Sequence, residues 1–150
     1  LSKELNISVK QQVLNIDERK KINDHYQKSN FQYELFDFDE NLHSKINDID
    51  IVITRSGASA IAEFAHLNIP FLAIPFPFAK DNHQFYNAKF YEENNCCWLI
   101  EQNDLDNISF INLFKDKESH KEKKNNLSKI TNQNSWNNVN KKLINLINEN

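Results

Sequence analysis

The 150 residues contain a single glycine, Gly57, which falls in Thr54-Arg55-Ser56-Gly57-Ala58-Ser59, where a β-branched run gives way to a helical pattern. In open parallel sheets ligands collect beyond the carboxyl ends of strands. A helix start there offers free N–H groups and a positive dipole end to phosphate oxygens. Gly57 therefore has two readings: it lets the backbone come close to such a ligand, or it serves a tight strand-to-helix turn that needs a positive φ. Ser59 and Glu63 are four apart and share one helix face, while Ile61, Ala62 and Ala65 can turn toward the sheet. A carboxylate one turn past a phosphate can accept both hydroxyls of a ribose, as acidic residues do in dinucleotide folds. The plainer reading of Glu63 is an exposed helix glutamate.

Asp81-Asn82-His83-Gln84 opens the helix after the next strand, so its side chains belong to the same rim of the sheet as the Ser56-Gly57 turn. Gln84 brings a donor and an acceptor suited to sugar hydroxyls, and His83 either donates to a phosphate or caps the helix. His25, His43, His66 and His120 are scattered and make no metal set.

The elements that must position these residues are short apolar runs alternating with amphipathic segments. Ile7 to Leu14 reads as a strand, Asp17 to Lys28 as a helix and Phe31 to Phe36 as a strand. A helix over about Glu40 to Asn47 follows, then the strand Ile49 to Thr54, the helix Ala58 to His66 and the strand Phe71 to Ile74. Asp81 is placed to cap a helix reaching about Glu93, and Cys96 to Ile100 is the last strand. This alternation predicts right-handed βαβ units and one Rossmann-like parallel sheet flanked by helices. Beyond Asp104 the pattern is helical: a charged run from Lys115 to Lys124 reads as a solvated face, and Trp136, Val139, Leu143 and Ile147 follow helical spacing.

Composition narrows the class. At 39% hydrophobic and 26% charged, the chain has the size and balance of one globular domain. Eighteen Lys and Arg against 21 Asp and Glu leave a formal charge of −3, which disfavours a general nucleic-acid binder. The longest apolar stretch, Ile69 to Phe78, is proline-broken and well short of the roughly 20 residues of a membrane helix. Cys96 and Cys97 are adjacent, which suits neither a staple between distant segments nor a zinc site and points to a reducing cytoplasm. The opening residues hold neither a signal core nor a methionine, so the chain is read as a fragment.

Taken together, Asp50-Ile51-Val52-Ile53-Thr54-Arg55-Ser56-Gly57-Ala58-Ser59-Ala60-Ile61-Ala62-Glu63, Ile69-Pro70, Pro75 and Asp81-Asn82-His83-Gln84-Phe85-Tyr86-Asn87-Ala88 resemble the MurG family. Those enzymes transfer N-acetylglucosamine from UDP-GlcNAc to lipid I, undecaprenyl-diphospho-muramoyl-pentapeptide, giving lipid II for peptidoglycan. The match covers Asp50 to Ala88 closely and Ile7 to Asn41 more loosely.

The resemblance implies a two-lobed inverting glycosyltransferase of the GT-B type, of which residues 1–150 are most of the C-terminal, donor-binding lobe. By motif, Arg55, Ser56 and Gly57 form the turn under the donor. Ala58, Ser59 and Ala60 bring main chain to the diphosphate, and Glu63 takes the ribose. Gln84 contacts the GlcNAc hydroxyls, His83 and Asn87 shape that pocket, and Phe38 aligns near the uracil. The glycine-rich loop that opens this lobe is expected just upstream, and the catalytic base and lipid I site in an N-terminal lobe absent from this chain. The fragment alone is thus expected to be inactive. The resemblance further implies peripheral association with the cytoplasmic face of the bacterial inner membrane through that absent lobe. Helix-end amides facing the diphosphate make a metal or other cofactor unnecessary on this reading. Two alternatives remain: another GT-B UDP-sugar transferase with a different acceptor, or a non-catalytic donor-binding subunit.

Overall fold

A computed structural model describes residues 6–29, 31–40 and 42–133. The Trp136, Val139, Leu143 and Ile147 stripe lies outside the described residues. The elements run β1 (Ser8–Gln12), α1 (Ile16–Gln27), β2 (Gln32–Phe36), α2 (Leu42–Ile46), β3 (Val52–Thr54), α3 (Ala58–His66), β4 (Phe71–Ala73), α4 (His83–Glu93), β5 (Cys97–Leu99), α5 (Phe110–Lys115) and α6 (Lys117–Gln133). Short 3-10 turns occupy Lys80–Asn82 and Gln102–Asn107. Contacts divide the chain into two compact units, Leu1–Asp48 with Ser109–Lys115 and Ile49–Ile108 with Asp116–Asn150.

In the first unit β1 and β2 pair in parallel, from Ser8 opposite Gln32 to Gln12 opposite Phe36. The α1 crossover starts where Asn15 Oδ1 accepts from the amides of Asp17 and Glu18, at 2.9 and 3.1 Å. This satisfies two of the free donors at a helix start. Arg19 then ties α1 to the end of β2, donating to the Asp37 carboxylate and the Leu35 carbonyl, both at 2.6 Å.

The second unit is built around β4. Phe71, Leu72 and Ala73 are fully buried, with β3 on one side and β5 on the other in parallel register. Burying side chains such as Phe71 and Leu72 stabilises the fold by about 1.5–3 kcal/mol each. Ile61, Phe64 and Ala65 of α3 are buried, as is Ala88 of α4. From α6, Leu127 is fully buried and Thr131 donates to the Ala65 carbonyl at 3.2 Å.

Several expectations are corrected. The strands pair as two separate parallel sheets, β1-β2 and β3-β4-β5, in place of one continuous sheet. Beyond their pairing with each other, β1 and β2 form no ladder with any described strand, and a sheet grows only through such ladders. Ala62 is exposed and Phe64 takes the inward place, because positions 61, 64 and 65 share the buried face. Asp81 does not cap α4. It lies in the preceding turn at φ 53°, and Asn82 holds the cap position without a side-chain bond. The charged run is not wholly solvated either. Lys123 is buried, with its Nζ 2.6 Å from Asn95 Oδ1 and 4.7 Å from the centre of the Trp98 ring. Burial holds that ammonium below its usual pKa.

With one glycine available, the chain uses asparagine where the backbone turns left-handed. Asn68 and Asn95, just past the ends of α3 and α4, have φ of 56° and 50°. Asparagine tolerates this region better than most side chains.

Cys96 and Cys97 are free and buried. Burial pushes the Cys97 thiol up to about 12 from 9.0. The unfolded chain therefore loses this proton first, and the stability carried by the thiol, complete below pH 9, falls away as pH rises toward 12. Replacing Cys97 with Ala should narrow the stability gap to the parent by about 1.4 kcal/mol at pH 10 relative to pH 7.5. Urea denaturation at the two pH values measures the gap, and a constant gap contradicts the assignment.

Candidate functional site

Thr54, Ala73 and Leu99 stand side by side at the carboxyl ends of β3, β4 and β5. Two further backbone bonds extend the alignment, Ile74 N–H to the Thr54 carbonyl at 2.8 Å and Ile100 N–H to the Ala73 carbonyl at 3.1 Å. Three loops consequently leave the sheet along one edge: Arg55 to Gly57, Ile74 to Asn82, and Ile100 onward.

The first loop enters α3 at Gly57, whose φ of −63° and ψ of 135° any residue can adopt. The positive-φ reading of Gly57 is thereby overturned. A Cβ built on Gly57 would meet no heavy atom within 4 Å, so packing does not demand glycine either. Gly57 supplies no capping side chain, and the first intrahelical bond runs from Ile61 N–H to the Gly57 carbonyl at 3.1 Å. The amides of Ala58, Ser59 and Ala60 thus have no acceptor within the helix. Ala58 and Ser59 are exposed, and Ser59 and Glu63 share the solvent-facing side of α3.

Ser56 is fully buried, yet its hydroxyl has no hydrogen-bond partner among the described residues. Asn87, from the second turn of α4, donates to the Ser56 carbonyl at 3.1 Å and so joins the start of α4 to the Arg55–Gly57 turn.

Gln84 is half-buried, with Oε1 accepting from Phe76 N–H at 3.0 Å. That bond leaves both amide hydrogens of Gln84 available. His83 is exposed, and its Nδ1 lies 2.8 Å from the Lys80 carbonyl. A carbonyl only accepts, so Nδ1 is the donor in this contact. Asp81 and Asn82, both at φ 53°, set this turn.

Arg55 is exposed but well occupied. Nη1 donates to the Ile74 and Pro75 carbonyls at 3.3 and 3.0 Å, and Nη2 to Gln102 Oε1 at 2.7 Å. The second unit therefore brings together Arg55, Ser56, Gly57, Asn87, Gln84 and the Ile74–Phe76 backbone. Phe38 belongs to the first unit, where its ring is 71% exposed. Gln102 and the Ile74–Phe76 backbone were not singled out from the sequence. Their signal was position alone, since each follows a strand at its carboxyl end.

Residues 2–143 match the Glycosyltransferase family 28 C-terminal domain. The chain belongs to that family. Its relatives include a Pelagibacter ubique protein named UDP-N-acetylglucosamine--N-acetylmuramyl-(pentapeptide) pyrophosphoryl-undecaprenol N-acetylglucosamine transferase. It is 40% identical over all of this chain and 43% of its own length. A protein of the same name from Rickettsia canadensis is 44% identical over 60% of this chain and 25% of its own. The chain thus spans less than half the length of these curated relatives. Among solved structures, the crystal structure of Acinetobacter baumannii MurG superposes with a TM-score of 0.68 at 20% identity, covering 83% of this chain and 36% of that one. That likeness shows the fold, parallel sheets flanked by helices as in one lobe of a GT-B glycosyltransferase.

The buried Ser56 hydroxyl offers a test within this family 28 domain. A polar group left buried without a partner costs about 1–3 kcal/mol. Ser56→Ala should therefore leave the ligand-free protein equally stable or raise its stability by about 1 kcal/mol. A loss of more than about 1 kcal/mol on chemical denaturation would mean that the hydroxyl is already satisfied.

Proposed function

We propose that this chain is the donor-binding lobe of an enzyme that transfers N-acetylglucosamine from UDP-GlcNAc to lipid I, yielding lipid II. The observation that carries the reading is Gly57. The chain's one glycine heads an uncapped helix where neither backbone conformation nor packing requires it. A ligand that must approach the backbone closely supplies the requirement. The names of the family 28 relatives supply the chemistry.

In this reading the diphosphate sits at the start of α3, on the amides of Ala58, Ser59 and Ala60, with Arg55, Ser56 and Gly57 forming the turn beneath it. Glu63 holds the ribose hydroxyls. The amide hydrogens of Gln84 donate to GlcNAc hydroxyls, while His83 and Asn87 shape the sugar pocket. An acceptor hydroxyl attacks the anomeric carbon with inversion and displaces UDP. Negative charge grows on the departing diphosphate, where oriented amides and the helix dipole stabilise it without reorganisation. The catalytic base and the lipid I site belong to the first lobe of such an enzyme. Association with the cytoplasmic face of the inner membrane belongs to the same proposal, as the lipid-linked acceptor requires. Among the described residues no helix is long and apolar enough to cross a membrane.

Two substitutions test the reading in the full-length protein. Gly57→Val keeps an allowed backbone and its Cβ meets no heavy atom within 4 Å, so stability should change by less than about 1 kcal/mol while UDP affinity falls at least about tenfold. Glu63→Ala should weaken UDP by about 1.5–3 kcal/mol through loss of the ribose bonds. Calorimetry with UDP measures both. Unchanged affinity in the folded Gly57→Val variant removes the diphosphate from α3, and unchanged affinity in Glu63→Ala returns that residue to the exposed-surface reading.

A further inference from the structure

The Arg55 guanidinium joins all three loops at the carboxyl edge of the β3-β4-β5 sheet. It stands directly after β3, its Nη1 bonds the two carbonyls directly after β4, and its Nη2 bonds Gln102, three residues after β5. The guanidinium carbon also lies 5.7 Å from the centre of the Phe76 ring. A guanidinium is a rigid planar fork, so its orientation is fixed only when more than one nitrogen is held. Two carbonyls on Nη1 alone leave rotation about that anchor. Gln102 on Nη2 removes it.

The next link lies in the same loop. Phe76, one residue beyond the Pro75 carbonyl that Arg55 holds, donates its N–H to Gln84 Oε1 at 3.0 Å. With Oε1 committed, the Gln84 amide has one orientation, which leaves both its hydrogens free to donate. A chain of contacts thus runs from Gln102 through Arg55 and the Ile74–Phe76 backbone to Gln84.

We propose that Gln102 is a positioning residue for sugar recognition: it orients Arg55, which holds the Ile74–Phe76 backbone in the place that aims the Gln84 amide at the donor's sugar. The proposal rests on the donor-binding reading above, and it makes Gln102 a determinant of preference for the nucleotide sugar over the bare nucleotide. Gln102 acts only through its neighbours, so the diphosphate contacts at α3 are left in place when it is changed.

The test uses Gln102→Leu and Gln102→Glu in the full-length protein. Gln102 is exposed, so neither change disturbs the core. Leu removes the acceptor. Glu keeps one, and any repulsion it exerts falls more heavily on UDP, whose terminal phosphate carries the extra charge, so it moves the ratio of UDP to UDP-GlcNAc affinities away from UDP, opposite to the shift expected in Gln102→Leu. In Gln102→Leu that ratio should shift about fivefold toward UDP, and the Phe76 amide should exchange faster with solvent. Gln102→Glu should show no shift of the ratio toward UDP. An unchanged ratio in Gln102→Leu, or a Glu variant as impaired as the Leu variant, overturns the proposal. A parent that bound neither ligand would remove the donor reading instead. Exchange at Phe76 would then decide the positioning role, with equal rates in parent and Gln102→Leu overturning it.

Discussion

Phe71, Leu72 and Ala73 are withdrawn entirely from solvent, and their backbone holds β3 on one side and β5 on the other in matched parallel register. Everything functional in the second unit depends on that three-stranded pairing. A parallel ladder sends its strands out at the same end, so the loops after Thr54, Ala73 and Leu99 reach a common edge. The chain needs neither a disulfide nor a glycine-rich hinge to gather them. Side chains complete the gathering, Asn87 holding the first turn to α4 and Arg55 holding the three loops together.

Several local costs fall on the same edge, while a further one, the buried and partnerless Asn68 Oδ1, lies past the other end of α3. The Ser56 hydroxyl is buried without a partner, α3 starts without a capping side chain, and Asp81 and Asn82 take left-handed conformations in succession. Left-handed asparagines at Asn68 and Asn95 follow the ends of α3 and α4, where such a residue is ordinary. The pair before α4 instead stands at a helix start, in the turn Lys80–Asn82. Unmet donors and backbone strain are what a folded chain tends to hold where it must meet something else.

Much of this was legible in the sequence. The β-branched run before Thr54, the apolar run after Pro70 and the helical spacing from Ala58 to His66 each carry a strong periodic signal, and α3 has the bounds that spacing predicts. Strand ends were less legible, because Ile49, Ile51 and Cys96 are apolar or β-compatible without joining the ladder. Sheet continuity was not legible at all, since periodicity says that strands exist and not which pairs form. Among the site residues, Gly57 stood out by rarity, but its allowed φ and the open space at its Cα could come only from coordinates. Arg55 was legible as part of a motif, while its partners depend on which loops lie beside it, and Gln102 has no motif of its own. Lys123 shows the limit of charge patterning: one lysine inside a solvated run is buried because Asn95 and Trp98 receive it.

The central claim is that the diphosphate of a UDP-sugar rests on the start of α3. A crystal structure of the full-length protein with UDP-GlcNAc tests this most directly. The account predicts the diphosphate oxygens within hydrogen-bond distance of the Ala58, Ser59 and Ala60 amides, in the open space beside Gly57, with the sugar at Gln84. A diphosphate bound elsewhere, leaving the space beside Gly57 empty, would contradict it.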